Sequence, residues 1–512
     1  MTEETSATKA ASGGVYVLFA KVFFVATGFV QQTLLQRFLG DETYGALSRV
    51  MASSNIPNNV MVASSTQGVS RAIASAHGSE LATLRLTTRV HVTVSLVVAV
   101  MFALAAPVIS WTQNAPHILG ALWVMAPVLA VYGIYAALVG YLNGRALFAK
   151  QASLDVLAAT LRTIGLLAFG LLATRFSTSA IVGATTGAAA AIACVFALAI
   201  FWVWRDATRS LAVGRNATPL ELRVYCLGLL PVIGAQAFTS ALMQSDLLLL
   251  GHFLKPPVES PHAPDVWVAA YRGAQLFAFL PYQLLFSVTQ VLFPMLAKTK
   301  VSGTPADVAA LVTHGARVGV VVLTMLVCVV ATLPASLLRF GFTEGLAVRG
   351  TETLRALALG QGCFALLGLA CTVLVSLGYE RRALLLTGTA LALVLLSTFA
   401  YASRAEFGAD MSLATARATS AALAAAALAG IVVVRFSAGA FAPWRTLIVS
   451  VALVGTFWTM GHWVPMLPRP LTVLAAGAVF ATAGAALFVL GELKKSDIMT
   501  LVDAIARRRG AR

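Results

Sequence analysis

About fourteen times between residues 14 and 491 the chain returns to an apolar run of roughly 20 residues, long enough to cross the hydrocarbon layer as a helix. The runs lie near 14–39, 47–70, 90–111, 118–142, 153–173, 179–204, 222–250, 267–297, 312–336, 353–378, 383–402, 411–434, 446–464 and 471–491. Lipid offers no partner to an unpaired backbone amide, so segments of this length must satisfy their own hydrogen bonds as helices. Composition agrees: the 512 residues are 59% hydrophobic and 11% charged, with a mean hydropathy of +0.85, where a soluble domain carries roughly 25% charged residues. The expected fold is all-α, a polytopic membrane protein of about 14 transmembrane helices.

The head, MTEETSATKAASGG, carries Glu3 and Glu4 and lacks the basic region of a cleaved signal peptide, so the first apolar helix is expected to be retained. A net charge of +16 could serve nucleic acid, but Lys and Arg are scattered between apolar runs, with no soluble basic domain to display them. Nucleic acid is therefore excluded as a partner. Cys194, Cys226, Cys328, Cys363 and Cys371 all sit in apolar runs without CxxC spacing and read as small packing residues. The 7 His residues are dispersed, with no HExxH or paired-ligand spacing, so no metal site is expected.

Orientation follows from Lys and Arg in alternate connectors. One set holds Lys9, Arg71, Arg85, Arg89, Arg145, Lys150, Arg205, Arg209, Arg215, Arg223, Lys298, Lys300, Arg317, Arg381, Arg382, Arg435, Arg445 and the basic tail. The other holds little beyond Arg175, Lys255, Arg339, Arg349, Arg355, Arg404, Arg417 and Arg469. Roughly 23 against about 8 places both termini in the cytoplasm. The longest outside segments, about 251–266 and 337–352, are too short to fold as domains. Thr218-Pro219-Leu220-Glu221 has the spacing of a capping box with Pro at the first helical position, and Thr304-Pro305-Ala306-Asp307 is a looser copy. After the last span, Ser496 can cap a helix with Ile498, Leu501, Val502 and Ile505 on one face and Arg507 to Arg509 at its end. This reads as a surface-lying helix held by anionic membrane lipid.

Within this apolar frame, polar groups stand out. The run Tyr271 to Lys298 carries Arg272, Gln275, Gln283 and Gln290, which at about 100° per residue fall close to one helical face. Just before it, LMQSDLLLLGHFL places Asp246 in an apolar run, where an ionised group costs roughly 2.5–3.5 kcal/mol unless it faces a partner or a cavity. The second span is rich in Asn, Ser and Thr and contains Pro57; Asn55, Asn59, Val62 and Thr66 share one face. It is either a kinked helix lining a cavity or no span at all.

A faint internal repeat connects these stretches. FVQQTLLQRFLG from Phe29 matches LMQSDLLLLGHFL from Leu242, and Tyr44-Gly45-Ala46 matches Tyr271-Arg272-Gly273-Ala274. Ile56-Pro57 then answers to Leu280-Pro281, Thr66-Gln67 to Thr289-Gln290, and Arg89-Val90 to Arg317-Val318. Spans one to six pair with seven to twelve, leaving two more. The expected divisions are a cytoplasmic tail (1–13), two pseudo-repeated six-helix bundles (14–210 and 211–435), two C-terminal helices (436–491) and a cytoplasmic amphipathic basic tail (492–512). Two bundles rocking about a shared midplane site are a recurring solution for transporters. The first half offers Lys21, Gln31 and Gln32 along one side of span one, and the second offers Gln236, Ser240, Gln244, Asp246 and the Arg272 stripe.

With RFLGDETYGALSRV, SDLLLLGHFL followed by AAYRGAQ, the VLFPMLAK close of span eight, and twelve repeat-related spans plus two, the chain resembles the multidrug/oligosaccharidyl-lipid/polysaccharide (MOP) exporter superfamily, within it the Wzx-like polysaccharide flippases. The resemblance implies a transporter rather than an enzyme, with no cofactor. The substrate it implies is an undecaprenyl-diphosphate-linked oligosaccharide, moved across a bacterial inner membrane for O-antigen, capsule or exopolysaccharide assembly, with polysaccharide polymerase machinery downstream. A diphosphate in hydrocarbon needs a cationic, hydrogen-bonding cavity. Lys21 and Arg272 are then expected to hold phosphate, and Asn55, Asn59, Gln275, Gln283 and Gln290 to meet substrate, with Asp246, Gln31 and Gln244 in coupling or gating. Each has a plainer reading: Lys21 and Arg272 can snorkel to an interface, Asp246 can pair with either to hold the bundles, and the amides can be interhelical glue. Arg162 is a lesser candidate. No Walker motif is present, so ATP hydrolysis is not expected.

Two relatives share this architecture. A drug or cation antiporter of the superfamily would want an acidic first-half lumen, whereas span one has Lys21 and no carboxylate before Asp41. A lipid II flippase is closer, but its first-half arginine cluster has only a thin counterpart in Lys21 and Arg37. A membrane polymerase or ligase would need a large outer loop bearing catalytic groups, and a purely structural protein would not explain paired polar helices in both halves.

Overall fold

The computed structural model describes residues 3–76, 79–176, 178–210, 221–258 and 260–494, and their side chains except at 3–22, 24, 209–210, 286–288 and 290–291. Every element among the described residues is helical. Helix α1 (Glu3–Ser75) contains the first two expected spans, interrupted only at Gly40, with φ 82° and ψ 168°. A left-handed φ of this size suits glycine alone, so one residue divides the two spans. The polar second span is helical throughout, with Pro57 inside it. Then follow α2 (Glu80–Thr112), a 3₁₀ turn (Pro116–Ile118), α3 (Leu119–Gly144), α4 (Phe148–Arg175), α5 (Ala180–Ser210) and α6 (Leu222–Phe253).

Span eight, expected as one helix over 267–297, is two: α7 (Ala263–Ala278) and α8 (Leu280–Ser302). Pro281 in the first turn of α8 has no amide to continue the α7 ladder, and its ring crowds the residues before it. Span nine divides in the same way. Helix α9 (Pro305–Thr332) ends before Leu333 (φ −119°, ψ 40°), and Pro334 opens α10 (Pro334–Gly341). The chain completes with α11 (Glu344–Ser376), α12 (Glu380–Ala402), α13 (Ala409–Ala438), α14 (Trp444–Met460) and α15 (Arg469–Val489). Each expected span falls for most of its length on helix, with 446–464 running four residues past the end of α14. Among the described residues 10 helices are long and apolar enough to cross a membrane: α2, α3 with its leading turn, α4, α5, α6, α9, α11, α12, α13 and α15.

Of the two expected capping boxes, one lies wholly on described residues. Thr304 caps α9 as read: its side chain accepts from the Asp307 amide at 3.2 Å while Asp307 Oδ2 accepts from the Thr304 amide at 2.8 Å. Helix α6 is described from Leu222, with Glu221, the last residue of the expected Thr218 box, as its N-cap. Thr218 to Leu220 lie outside the described residues, as does the tail helix expected from Ser496.

The chain forms two compact units, Met1–Ala269 and Ala270–Arg512. This division lies beyond the 210/211 boundary drawn from the repeat because α6 packs against α1. In the first unit α1 also packs on α3 and α4, α2 on α3, and α5 on α3 and α4. The faces are sorted for lipid rather than water. Helix α2 buries Thr83, Thr87, His91, Ser95, Ala99 and Ala106, spaced for one helical face, while Leu96, Val97, Val100, Leu104 and Val108 stand exposed. With lipid as apolar as leucine, association rests on close packing and hydrogen bonds instead of apolar burial. Where α4 crosses α5, a Cβ on Gly165 would come 2.4 Å from the Gly187 carbonyl oxygen and one on Gly187 2.0 Å from that of Gly165. Only backbone fits there.

In the second unit α11 packs on α8, α9, α10 and α13, and α12 on α13. Helices α14 and α15 pack on α9 through Cys328, Phe457 and Ala483. Arginines tie down their ends: Arg317 Nη1 donates to the Glu492 carbonyl at 2.7 Å and Arg355 Nη2 to that of Gly461 at 3.0 Å.

Candidate functional site

In the first unit the expected polar positions are gathered on α1, α4 and α6. Gln31 is buried and accepts from Thr163 Oγ1 of α4 at 3.4 Å. Asn55 and Asn59 are half-buried, and Thr66 on the same face donates to the Ala136 carbonyl of α3 at 3.2 Å, a bond between helices. On α6, Gln236 donates to Ser240 at 3.3 Å. Gln244 is buried with an Oε1 that has no hydrogen-bond partner among the described residues. Asp246 is 1% exposed, and its Oδ1 accepts from the Leu247 amide at 2.8 Å. Arg162 Nη2 reaches Met51 Sδ at 3.7 Å. The Lys21 side chain lies outside the description, and with it the plainer reading in which Asp246 pairs with Lys21.

In the second unit Arg272 and Gln275, one helical turn apart on α7, meet: Arg272 Nη1 donates to Gln275 Oε1 at 3.2 Å. Gln275 is fully buried and Arg272 half-buried. The break at Phe279 separates this pair from half-buried Gln283 on α8, so the stripe is distributed over two helices instead of one continuous face. The Gln290 side chain lies outside the description. A groove of about 480 Å³ between α12 and α13, walled by Leu385, Leu393, Val433 and Phe436 and including Arg382, contains none of the expected positions.

A buried polar cluster in the first unit was not foreseen from the sequence. Arg49, 1% exposed on α1, sets its Nε 2.8 Å from Asp265 Oδ1 at the start of α7, itself 2% exposed. Its Nη1 donates to the carbonyls of Gln113 at 2.6 Å and Gly251 at 3.1 Å. Burying a guanidinium is expensive unless a carboxylate and further acceptors meet it, and here both conditions hold. Around this pair the C-terminal ends of α2 and α6 are laced together. Gln113 Nε2 donates to the Leu248 carbonyl at 2.9 Å, Asn114 Nδ2 to that of His252 at 2.6 Å, and His252 Nδ1 lies 2.6 Å from the Thr112 carbonyl. Gly45 brings α1 against α7: a Cβ there would fall 1.8 Å from the Asp265 carbonyl oxygen. A second buried chain joins α1, α2 and α6, with His91 Nδ1 2.8 Å from Ser65 Oγ and its Nε2 2.6 Å from the Tyr225 hydroxyl.

The signal for Arg49 was present as a charge two residues inside the second apolar run, the same criterion that singled out Asp246. Asp265 was hidden in a short connector, where carboxylates are ordinary, and nothing in its spacing points to residue 49.

A family model described as polysaccharide biosynthesis protein matches residues 11–300, more than half of the chain. The chain belongs to the polysaccharide biosynthesis protein family. Solved structures share the fold of this family member. The lipid II flippase MurJ in an inward closed conformation aligns with a TM-score of 0.67 at 13% identity, covering 93% of this chain and 99% of its own. An inward-facing multidrug resistance MATE transporter of the MOP superfamily aligns with a TM-score of 0.61 at 12% identity, covering 83% and 98%. A MOP superfamily transporter from Pyrococcus furiosus, described as having a binding pocket of reverse polarity, aligns at 0.58 and 14% identity, covering 83% and 95%. A sequence search of curated proteins finds no match. The polysaccharide biosynthesis family member therefore shares the fold of these MOP-superfamily transporters and is a multi-pass membrane protein.

Proposed function

We propose that this protein is a flippase that carries undecaprenyl-diphosphate-linked oligosaccharide repeat units from the cytoplasmic to the outer leaflet of a bacterial inner membrane by alternating access. Polymerase machinery then consumes the product in O-antigen, capsule or exopolysaccharide assembly. Arg272 carries the reading. Its guanidinium, on a helix in an apolar run, is held by the neutral amide of Gln275 at 3.2 Å, an arrangement that preserves a positive charge and several donors for a diphosphate. Lys21 supplies the second cation in this scheme. Asn55, Asn59, Gln283 and Gln290 meet glycan hydroxyls, and Asp246, Gln31 and Gln244 take part in gating. Both termini are cytoplasmic under the positive-inside bias.

The family match over 11–300 supports a glycan-assembly substrate. A second reading, lipid II itself as cargo, is favoured by the alignment with MurJ over 93% of the chain. A deletion strain complemented with wild type, K21A/R272A or R272K decides between them. The expected result is loss of surface polysaccharide with lipid-linked intermediates retained in the cytoplasmic leaflet for K21A/R272A, and partial recovery for R272K. Normal surface polysaccharide from K21A/R272A at wild-type protein level would refute the proposed site. Arrested peptidoglycan synthesis with intact surface polysaccharide would assign lipid II, and altered drug accumulation alone would assign an antiporter.

A further inference from the structure

We propose that His117, His262 and Asp265 of the Met1–Ala269 unit form a binding site for a divalent cation of the zinc type. The proposal is independent of what the protein transports. His117 lies in the 3₁₀ turn between α2 and α3, and the other two bracket the start of α7, so residues nearly 150 positions apart converge. Nε2 of His117 is 2.9 Å from Asp265 Oδ2, and Nδ1 of His262 is 3.9 Å from the same oxygen. All three donor atoms lie within 4.8 Å of one another. Around tetrahedral zinc, with bonds of about 2.0–2.1 Å, neighbouring ligand atoms are separated by about 3.3–3.4 Å. The two measured separations bracket that value, and the third, between the imidazole nitrogens, lies within 4.8 Å, so ligation draws the two imidazoles together around Asp265 Oδ2.

Three features distinguish this cluster from an ordinary histidine–carboxylate contact. First, His117 Nε2 is a buried atom that faces the Asp265 carboxylate at 2.9 Å. Second, Asp265 is 2% exposed and already oriented, since Arg49 occupies Oδ1 at 2.8 Å and leaves Oδ2 facing the imidazoles. Outer-shell contacts of this kind fix a ligating carboxylate in metal sites. Third, exposure increases across the cluster, from 2% at Asp265 to 26% at His117 and 53% at His262. The protein covers the ion on one side, and water can reach the fourth position on the other, the three-ligand pattern of open zinc sites.

The donor set also selects the ion. Two imidazole nitrogens and one carboxylate oxygen suit Zn²⁺ and its borderline neighbours, whereas Mg²⁺ and Ca²⁺ take oxygen ligands. Asp265 already shares its charge with Arg49, so affinity falls below that of a thiolate site. Bound, the ion pins the turn before α3 to the start of α7, on the same carboxylate that holds α1.

The test uses full-length protein in lipid nanodiscs, with the affinity tag removed and metal stripped by chelator. Zn²⁺ binding is measured by calorimetry, and Co²⁺ by its visible absorption, for wild type, H117A and H262A. We expect one equivalent in the wild type, with the Co²⁺ spectrum of nitrogen and oxygen ligation, unaffected by millimolar Mg²⁺. Each variant should bind about tenfold or more weakly. Because His262 is more than half exposed, its replacement leaves the fold and the Arg49–Asp265 pair in place, so H262A remains informative if H117A misfolds. Wild type that binds no stoichiometric Zn²⁺, or H262A that binds as tightly as wild type, overturns the proposal.

Discussion

Replacing Arg49 with Met removes a guanidinium from a pocket in which 1% of it is exposed and leaves the 2% exposed Asp265 carboxylate without its cation. Breaking a buried ion pair from one side costs about 3–5 kcal/mol, because an uncompensated charge remains. The Gln113 and Gly251 carbonyls lose their donor at the same time. With an unfolding entropy of about 2.1 cal/mol/K per residue over the Met1–Ala269 unit, each kcal/mol lowers Tm by about 2 °C. R49M should therefore melt about 5–9 °C below wild type, and D265N by a similar amount. The double variant R49M/D265L removes both charges, so its loss should be close to that of one single variant. Thermal unfolding in one detergent, followed by intrinsic fluorescence and by size-exclusion of the heated protein, gives all four values. Single shifts below about 2 °C, or a double variant equal to the sum of the singles, would refute a coupled buried pair.

Three further outcomes follow from the packing. G45V should lower Tm about as much as R49M, since its Cβ would fall 1.8 Å from the Asp265 carbonyl oxygen and push α7 away from α1. The same melting assay reads it. H91F should cost about 1–2 kcal/mol by orphaning the Ser65 and Tyr225 hydroxyls, and Y225F in the same chain should recover part of that loss. T304A removes the cap of α9 and should cost about 1 kcal/mol, with faster amide exchange confined to the first turn and unchanged exchange near Cys328.

The helices were legible because lipid imposes a length and a polarity that twenty consecutive residues either meet or fail. Gly40, Phe279 and Leu333 show where that signal stops. Hydropathy does not change at a helix break, and only the prolines at 281 and 334 marked two of the three. Arg272 was found because a charge in an apolar run is conspicuous, and its bond to Gln275 follows from a separation of three residues. Asp246 and Gln244 were likewise visible, and both are buried. The His117–His262–Asp265 cluster and the Ser65–His91–Tyr225 chain were not visible. Each is assembled from separate helices or connectors, and dispersed histidines in a linear sequence carry no record of which turns will meet.

Arg49 also sets an order of events at the ribosome. Its acceptor at Gln113 is made 64 residues later and the one at Gly251 202 residues later, with Asp265 later still. At about 5–20 residues per second, the guanidinium has been inserted for roughly 10–40 s before Gly251 and then its carboxylate leave the tunnel. Throughout that interval the first six spans, carried by α1 to α5, hold a charge they cannot neutralise from Asp265. A nascent chain stopped at residue 210 therefore lacks the residue that completes it, and one stopped after 269 does not. The folding unit of the N-terminal half borrows the opening of the next repeat.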